Sequence, residues 1–96
     1  MLDPAQVLKI ARDVATANLS SKAVSNVVSE PFTDSEGHEA LRITIVVNPG
    51  YPSKIKGDDA LNTLVEMQQK LRTAGEERFP LVEYATEEEL KESGDS

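Results

Sequence analysis

The period of apolar positions changes along the chain, and each change marks an element. Val7, Leu8, Ala11, Val14 and Ala15 recur at helical spacing with Ile10 at the edge of the stripe, while Lys9, Arg12, Asp13 and Thr16 lie largely outside it. Asp3 suits an N-cap, Pro4 the first helical position and Gln6 the N3 position of a capping box, so a helix is predicted from there to about Leu19. Residues 22–32 are rich in β-formers, with Val24, Val27, Val28 and Phe32, and alternate imperfectly. Pro31 cannot donate to a ladder and belongs on an edge or near the strand end. Thr33-Asp34-Ser35-Glu36-Gly37 is a polar, glycine-containing turn, and the pair reads as a hairpin.

The second strand carries the clearest pattern. In residues 41–47 the odd positions Leu41, Ile43, Ile45 and Val47 are all apolar, and the even ones hold Arg42, Thr44 and Val46. One face is expected to meet a core and the other to stay at least partly open. Pro49-Gly50 supplies a type II turn, and the loop runs to Gly57. A second helix is expected from Asp58 or Asp59, either of which suits a cap, to Ala74, with Gly75 just past its end. Its predicted stripe is Leu61, Leu64, Val65 and Leu71, with Ala60, Met67 and Ala74 at the edges. Residues 79–84 read as a short third strand at an edge, where Phe79 would seat in the core. Thr86 and Glu89 repeat the capping-box spacing before a short last helix.

The order α-β-β-α-β-(short α) predicts an α+β two-layer sandwich: a small antiparallel β-sheet with helices on one face. One domain is expected over 1–86, followed by an acidic tail over 87–96, a short helix that then frays. Most of the chain is similar in element order to the type II KH-like arrangement that BolA-type proteins share. The glycine loop with which KH domains grip a nucleic-acid backbone is missing, since Gly50 and Gly57 stand seven apart. The basic histidine-arginine motif of BolA-type proteins is absent too, and His38 is the only histidine. The resemblance therefore carries over neither a function nor a residue.

Composition narrows the classes of function. Seventeen acids against ten bases give a net charge of −7, which disfavours nucleic acid as the main partner. Residues 87–96 hold five acids and one base, so the tail carries more than half of that charge. With no cysteine, disulfides, thiolate catalysis and cysteine-ligated metals are excluded. Two Phe, two Tyr and no Trp provide no large stacking platform. No run reaches the roughly 18–20 apolar residues of a membrane span, and the opening residues lack a basic, then apolar, leader pattern. The expected location is cytoplasmic, with no membrane contact.

Candidate chemistry is sparse. Asp34, Glu36, His38 and Glu39 put oxygens and an imidazole in one turn, but without the spacing of an EF-hand loop. His38 has no cysteine partner and no serine in a Gly-x-Ser-x-Gly setting. No catalytic, cofactor-binding or metal site is assigned, and no cofactor is expected. Tyr51, Lys54 and Lys56 precede a helix N-terminus and form a possible anion loop, opposed by Asp58 and Asp59. Arg42, Thr44 and Val46 on the even strand face, with Arg72 and Arg78 beside Phe79, form a possible interface. No motif names an activity. The expectation is a small non-enzymatic protein acting through protein–protein contact, as an adaptor or by self-association, with an unknown partner or as a homodimer. The alternative is a KH-like module that binds a ligand or nucleic acid through a local basic patch of Arg42, Lys54 and Lys56.

Overall fold

The computed structural model describes residues 1–51 and 54–94. The order of elements is α1 (Pro4–Leu19), β1 (Val24–Thr33), β2 (Glu39–Val47), α2 (Gly57–Ala74), β3 (Phe79–Ala85) and α3 (Glu87–Gly94). The capping box at the start of α1 is formed: the Gln6 amide donates to Asp3 Oδ1 at 2.9 Å, and the Asp3 amide to Gln6 Oε1 at 3.1 Å. In the hairpin turn, Asp34 Oδ1 accepts from the backbone of Glu36 and of His38, both at 2.9 Å, and Gly37 takes the positive φ of 87°.

The strands form one sheet in the order β1-β2-β3. β1 and β2 are antiparallel, as a hairpin requires, but β3 runs parallel to β2, so the sheet is mixed rather than wholly antiparallel. The reason is the connection: α2 returns the chain to the end where β2 began, and β3 starts beside Ala40. β3 does lie at an edge, as expected.

Both long helices contribute to one core. Val7, Ala11, Val14 and Ala15 of α1 and Met67 and Leu71 of α2 cluster with Leu41, Ile43, Ile45 and Val47 of β2 and with Val27. The odd positions of β2 are thus under the helices, as their alternation predicts. The face of α2 differs from expectation. Thr63, Met67 and Leu71 are buried, whereas Leu61 and Val65 stay 59% and 41% exposed. Thr63 fits because its hydroxyl donates to the Asp59 carbonyl at 2.7 Å, leaving its methyl for the core. Neither Asp58 nor Asp59 is the N-cap; Lys56 is, through its backbone, and both acids lie in the first turn. Gly75 closes α2 in the left-handed region at φ 108°.

A buried ion pair fastens the segment between α2 and β3. The Glu76 carboxylate, fully buried, accepts from Arg78 Nη2 at 2.8 Å, from Arg78 Nε and the Arg78 amide at 2.9 Å each, and from the Leu2 amide at 3.1 Å. Arg78 Nη2 also donates to the Leu2 carbonyl at 3.3 Å. These bonds, led by the Arg78 side chain, hold the Glu76 pKa down to about 2 against desolvation. Among the described residues no helix is long and apolar enough to cross a membrane.

Candidate functional site: the sheet face opposite the long helices

Register decides which side chains share the face opposite the core. Residues paired across neighbouring strands point the same way, so the rows are Phe32–Ala40–Phe79, Glu30–Arg42–Leu81, Val28–Thr44–Glu83 and Asn26–Val46–Ala85. Neither α1 nor α2 packs on this side, because both contribute to the core on the other. Val28, Leu81 and Phe79 are 40%, 39% and 57% exposed here, and Phe32 is half-buried beside them. Isolated exposed hydrophobics are ordinary, but a group sharing one flat surface is a recognised sign of an interaction site.

Arg42 stands at the centre. Its guanidinium lies 4.8 Å from the centre of the Phe32 ring. Nη1 bonds Glu30 Oε1 at 3.2 Å across to β1, and Nε lies 3.7 Å from Glu83 Oε1 on β3. That second contact is an ion pair too long for a hydrogen bond, so Nε has no acceptor among the described residues. The three neighbours hold the side chain down against the sheet with its charge matched on both flanks.

The far end of the face is closed. Ser25, the extra residue of a bulge in β1, donates its hydroxyl to Glu87 Oε1 at 3.0 Å. Since β1 and β3 flank β2, this contact between β1 and the start of α3 spans the end of β2. Leu90 of α3 is half-buried, and the Thr86–Glu89 capping box fixes the start of the helix. Val46 is 1% exposed and Thr44 9%.

These positions revise the expected interface. Arg42, Thr44 and Val46 do share the face opposite α1 and α2, but only Arg42 keeps substantial exposure there, 39% of its side chain. Arg78 is turned inward to Glu76, with 14% of its side chain exposed. Arg72 is exposed on α2, in a shallow hollow with Val65, Gln68 and Thr73. Phe79 lies outward on the face instead of seating β3 in the core; Pro80, Val82 and Tyr84 face the helices. The outward rank of Phe32, Phe79 and Leu81 went unrecognised in the sequence because β3 is short and its pairing partner lies some forty residues away.

Tyr51, Lys54 and Lys56 of the possible anion loop occupy three different settings. Tyr51 packs against the core, Lys54 Nζ stands 5.5 Å from its ring, and Lys56 is exposed at the N-cap of α2. Pro52 and Ser53 lie outside the described residues. At the hairpin, His38 Nδ1 is 3.6 Å from both Asp34 Oδ2 and Glu36 Oε2, with 72% of its side chain exposed. The backbone N–H groups of His38 and, to a lesser degree, Glu36 hold the Asp34 pKa below the usual carboxylate range. Among the described residues no three His, Cys, Asp or Glu side chains gather as a metal-binding group. Tyr84 Oη is buried near Thr63, and that burial raises its pKa. It faces α2 and not the open face. No protein-family model matches the chain, and no curated protein matches its sequence.

Proposed function

We propose that this protein is a non-enzymatic contact module whose sheet face opposite α1 and α2 docks on another protein. The observation that carries the reading is the grouping of Val28, Phe32, Phe79 and Leu81 on one surface around a pinned Arg42. Such a surface combines the features enriched at the centre of interfaces: aromatic rings, aliphatic side chains and an arginine already oriented by neighbours. A pre-set arginine loses little side-chain freedom on binding, which favours contact over an equally apolar but mobile surface. Action in the cytoplasm belongs to the same reading, since a chain without cysteine needs no oxidising compartment to fold.

The KH-like alternative draws less support. It needs Arg42 as a free cation beside Lys54 and Lys56, yet Glu30 and Glu83 already flank that guanidinium. The test compares the full chain with Phe79→Asp and Leu81→Asp, and with Leu61→Asp on α2 as an exposed apolar control. Each is used as bait in extracts of its native cell, with bound proteins identified by mass spectrometry, and its own association is followed by sedimentation. A specific partner, or a dimer, lost in both face variants and kept in the control is the expected result. If all variants behave alike, the face is not the contact surface and the proposal fails.

A further inference from the structure

The charge surrounding the face selects the kind of partner, and this step rests on the contact reading above. One end of the face is a shallow concavity in which Phe32, Phe79 and Leu81 supply the apolar floor and Asp34, Glu39 and Glu77 the walls. Neither Glu39 nor Glu77 sits in an ion pair among the described residues. The two arginines at this end are already matched: Arg42 by Glu30 and Glu83, and Arg78 by Glu76, with Glu39 adding to the negative field around Arg78; the His38 imidazole lies beside Asp34 and Glu36. At the other end α3 opens with Glu87, Glu88 and Glu89. The face is therefore apolar in the middle and carries carboxylates at both ends of its border, while the arginines beside its apolar floor, Arg42 and Arg78, are already paired.

We infer that the occupant is a segment of another protein carrying lysines or arginines beside an apolar anchor. The anchor would cover Phe79 and Leu81, whose exposed area is the largest apolar contribution on this end. The flanking cations would meet Glu39, Glu77 and the hairpin carboxylates at the border, where charge speeds encounter and sets register more than it adds affinity. The same arrangement argues against a second copy seated face to face, because two acidic borders would then be pressed together.

The experiment follows backbone amide shifts of the full, isotope-labelled chain during titration with two synthetic peptides. Both carry the same leucines and phenylalanine, alternating with lysine in one and with glutamate in the other. The expected result is that the lysine peptide moves the amides of Phe32, Phe79 and Leu81, and the glutamate peptide does not. Glu39→Lys combined with Glu77→Lys weakens the lysine peptide on the order of tenfold at low salt, and less as ionic strength rises. Asp13→Lys with Asp58→Lys, an equal change of net charge on the helix layer, leaves binding within about twofold of the unaltered chain. If both peptides bind the face alike, or if the helix-layer variant weakens binding as much, the basic-partner inference is overturned while the contact reading stands. If neither peptide touches the face, the inference is also overturned. A dimer that Phe79→Asp then dissolves makes the occupant a second copy and keeps the contact reading. A monomer whose captured proteins Phe79→Asp leaves unchanged ends both.

Discussion

Removing the Glu76 carboxylate tests how much of the fold depends on one buried charge. In Glu76→Gln, Arg78 loses its counter-charge while 14% of its side chain remains exposed, and the Leu2 amide keeps at best a neutral acceptor. Breaking a buried pair by neutralising one member costs roughly 3–5 kcal/mol, because the other charge stays desolvated. The partial exposure of Arg78 and its remaining bond to the Leu2 carbonyl place this case near the low end, about 3 kcal/mol. The titration gives a second route to the same quantity. A carboxylate whose pKa falls from 4.5 to about 2 on folding contributes ~3 kcal/mol. Because the folded value is the lower one, that contribution is complete above about 4.5 and is lost as pH falls towards 2.

The assay is urea unfolding followed by far-ultraviolet circular dichroism, since the chain has no tryptophan to report on. At neutral pH the variant should lose about 3 kcal/mol, a fall in melting temperature on the order of 15 °C for a domain of this size. Glu77→Gln, the exposed neighbour, should stay within about 0.5 kcal/mol of the original. Between pH 4.5 and 2 the gap between Glu76→Gln and the parent chain should close. A loss below about 1 kcal/mol, or a gap that does not change across that interval, would refute the account of Glu76 as a buried, ionised anchor.

Met67→Ala should cost about 2–5 kcal/mol by leaving a cavity between α2 and the sheet, while Leu61→Ala on the same helix should cost under about 1 kcal/mol. Denaturation midpoints that rank the two the other way would mean that α2 presents a different face. Gly75→Ala meets open space at its new methyl but must hold φ 108°, so a loss of about 1 kcal/mol is expected in the same assay. No measurable loss would show that the end of α2 relaxes into another conformation.

The architecture was legible wherever a local rule operated. The alternation of Leu41, Ile43, Ile45 and Val47 locates the core face of β2, and Asp3, Pro4 and Gln6 locate the start of α1. What escaped was whatever depended on a distant segment. Thr63 counts as polar until its hydroxyl is seen to bond Asp59, and treating it so turned the predicted stripe of α2 towards Leu61 and Val65. Val46 and Thr44 read as open by strand alternation yet are buried, and the bond that ties α3 to β1, from Ser25 to Glu87, has no local signature either. The direction of β3 follows from the return of α2, and with it the outward position of Phe79. Of the candidate interface, Arg42 was found by strand alternation, whereas Phe32, Phe79 and Leu81 emerge as a group only once register is known.

The parallel pairing of β3 has a consequence for when the proposed contact surface comes into being. Val28 and Phe32 belong to a hairpin that closes over a short turn, but Phe79 and Leu81 reach it only after the whole of α2 has been made and laid down. Closing that longer loop is the slower step, since it costs more chain entropy before any contact is gained. A nascent chain still on the ribosome, or a piece cleaved between β2 and α2, carries half of the surface at most. On the proposed reading, a partner that needed both halves would bind only the completely folded chain and would pass over unfinished or clipped copies.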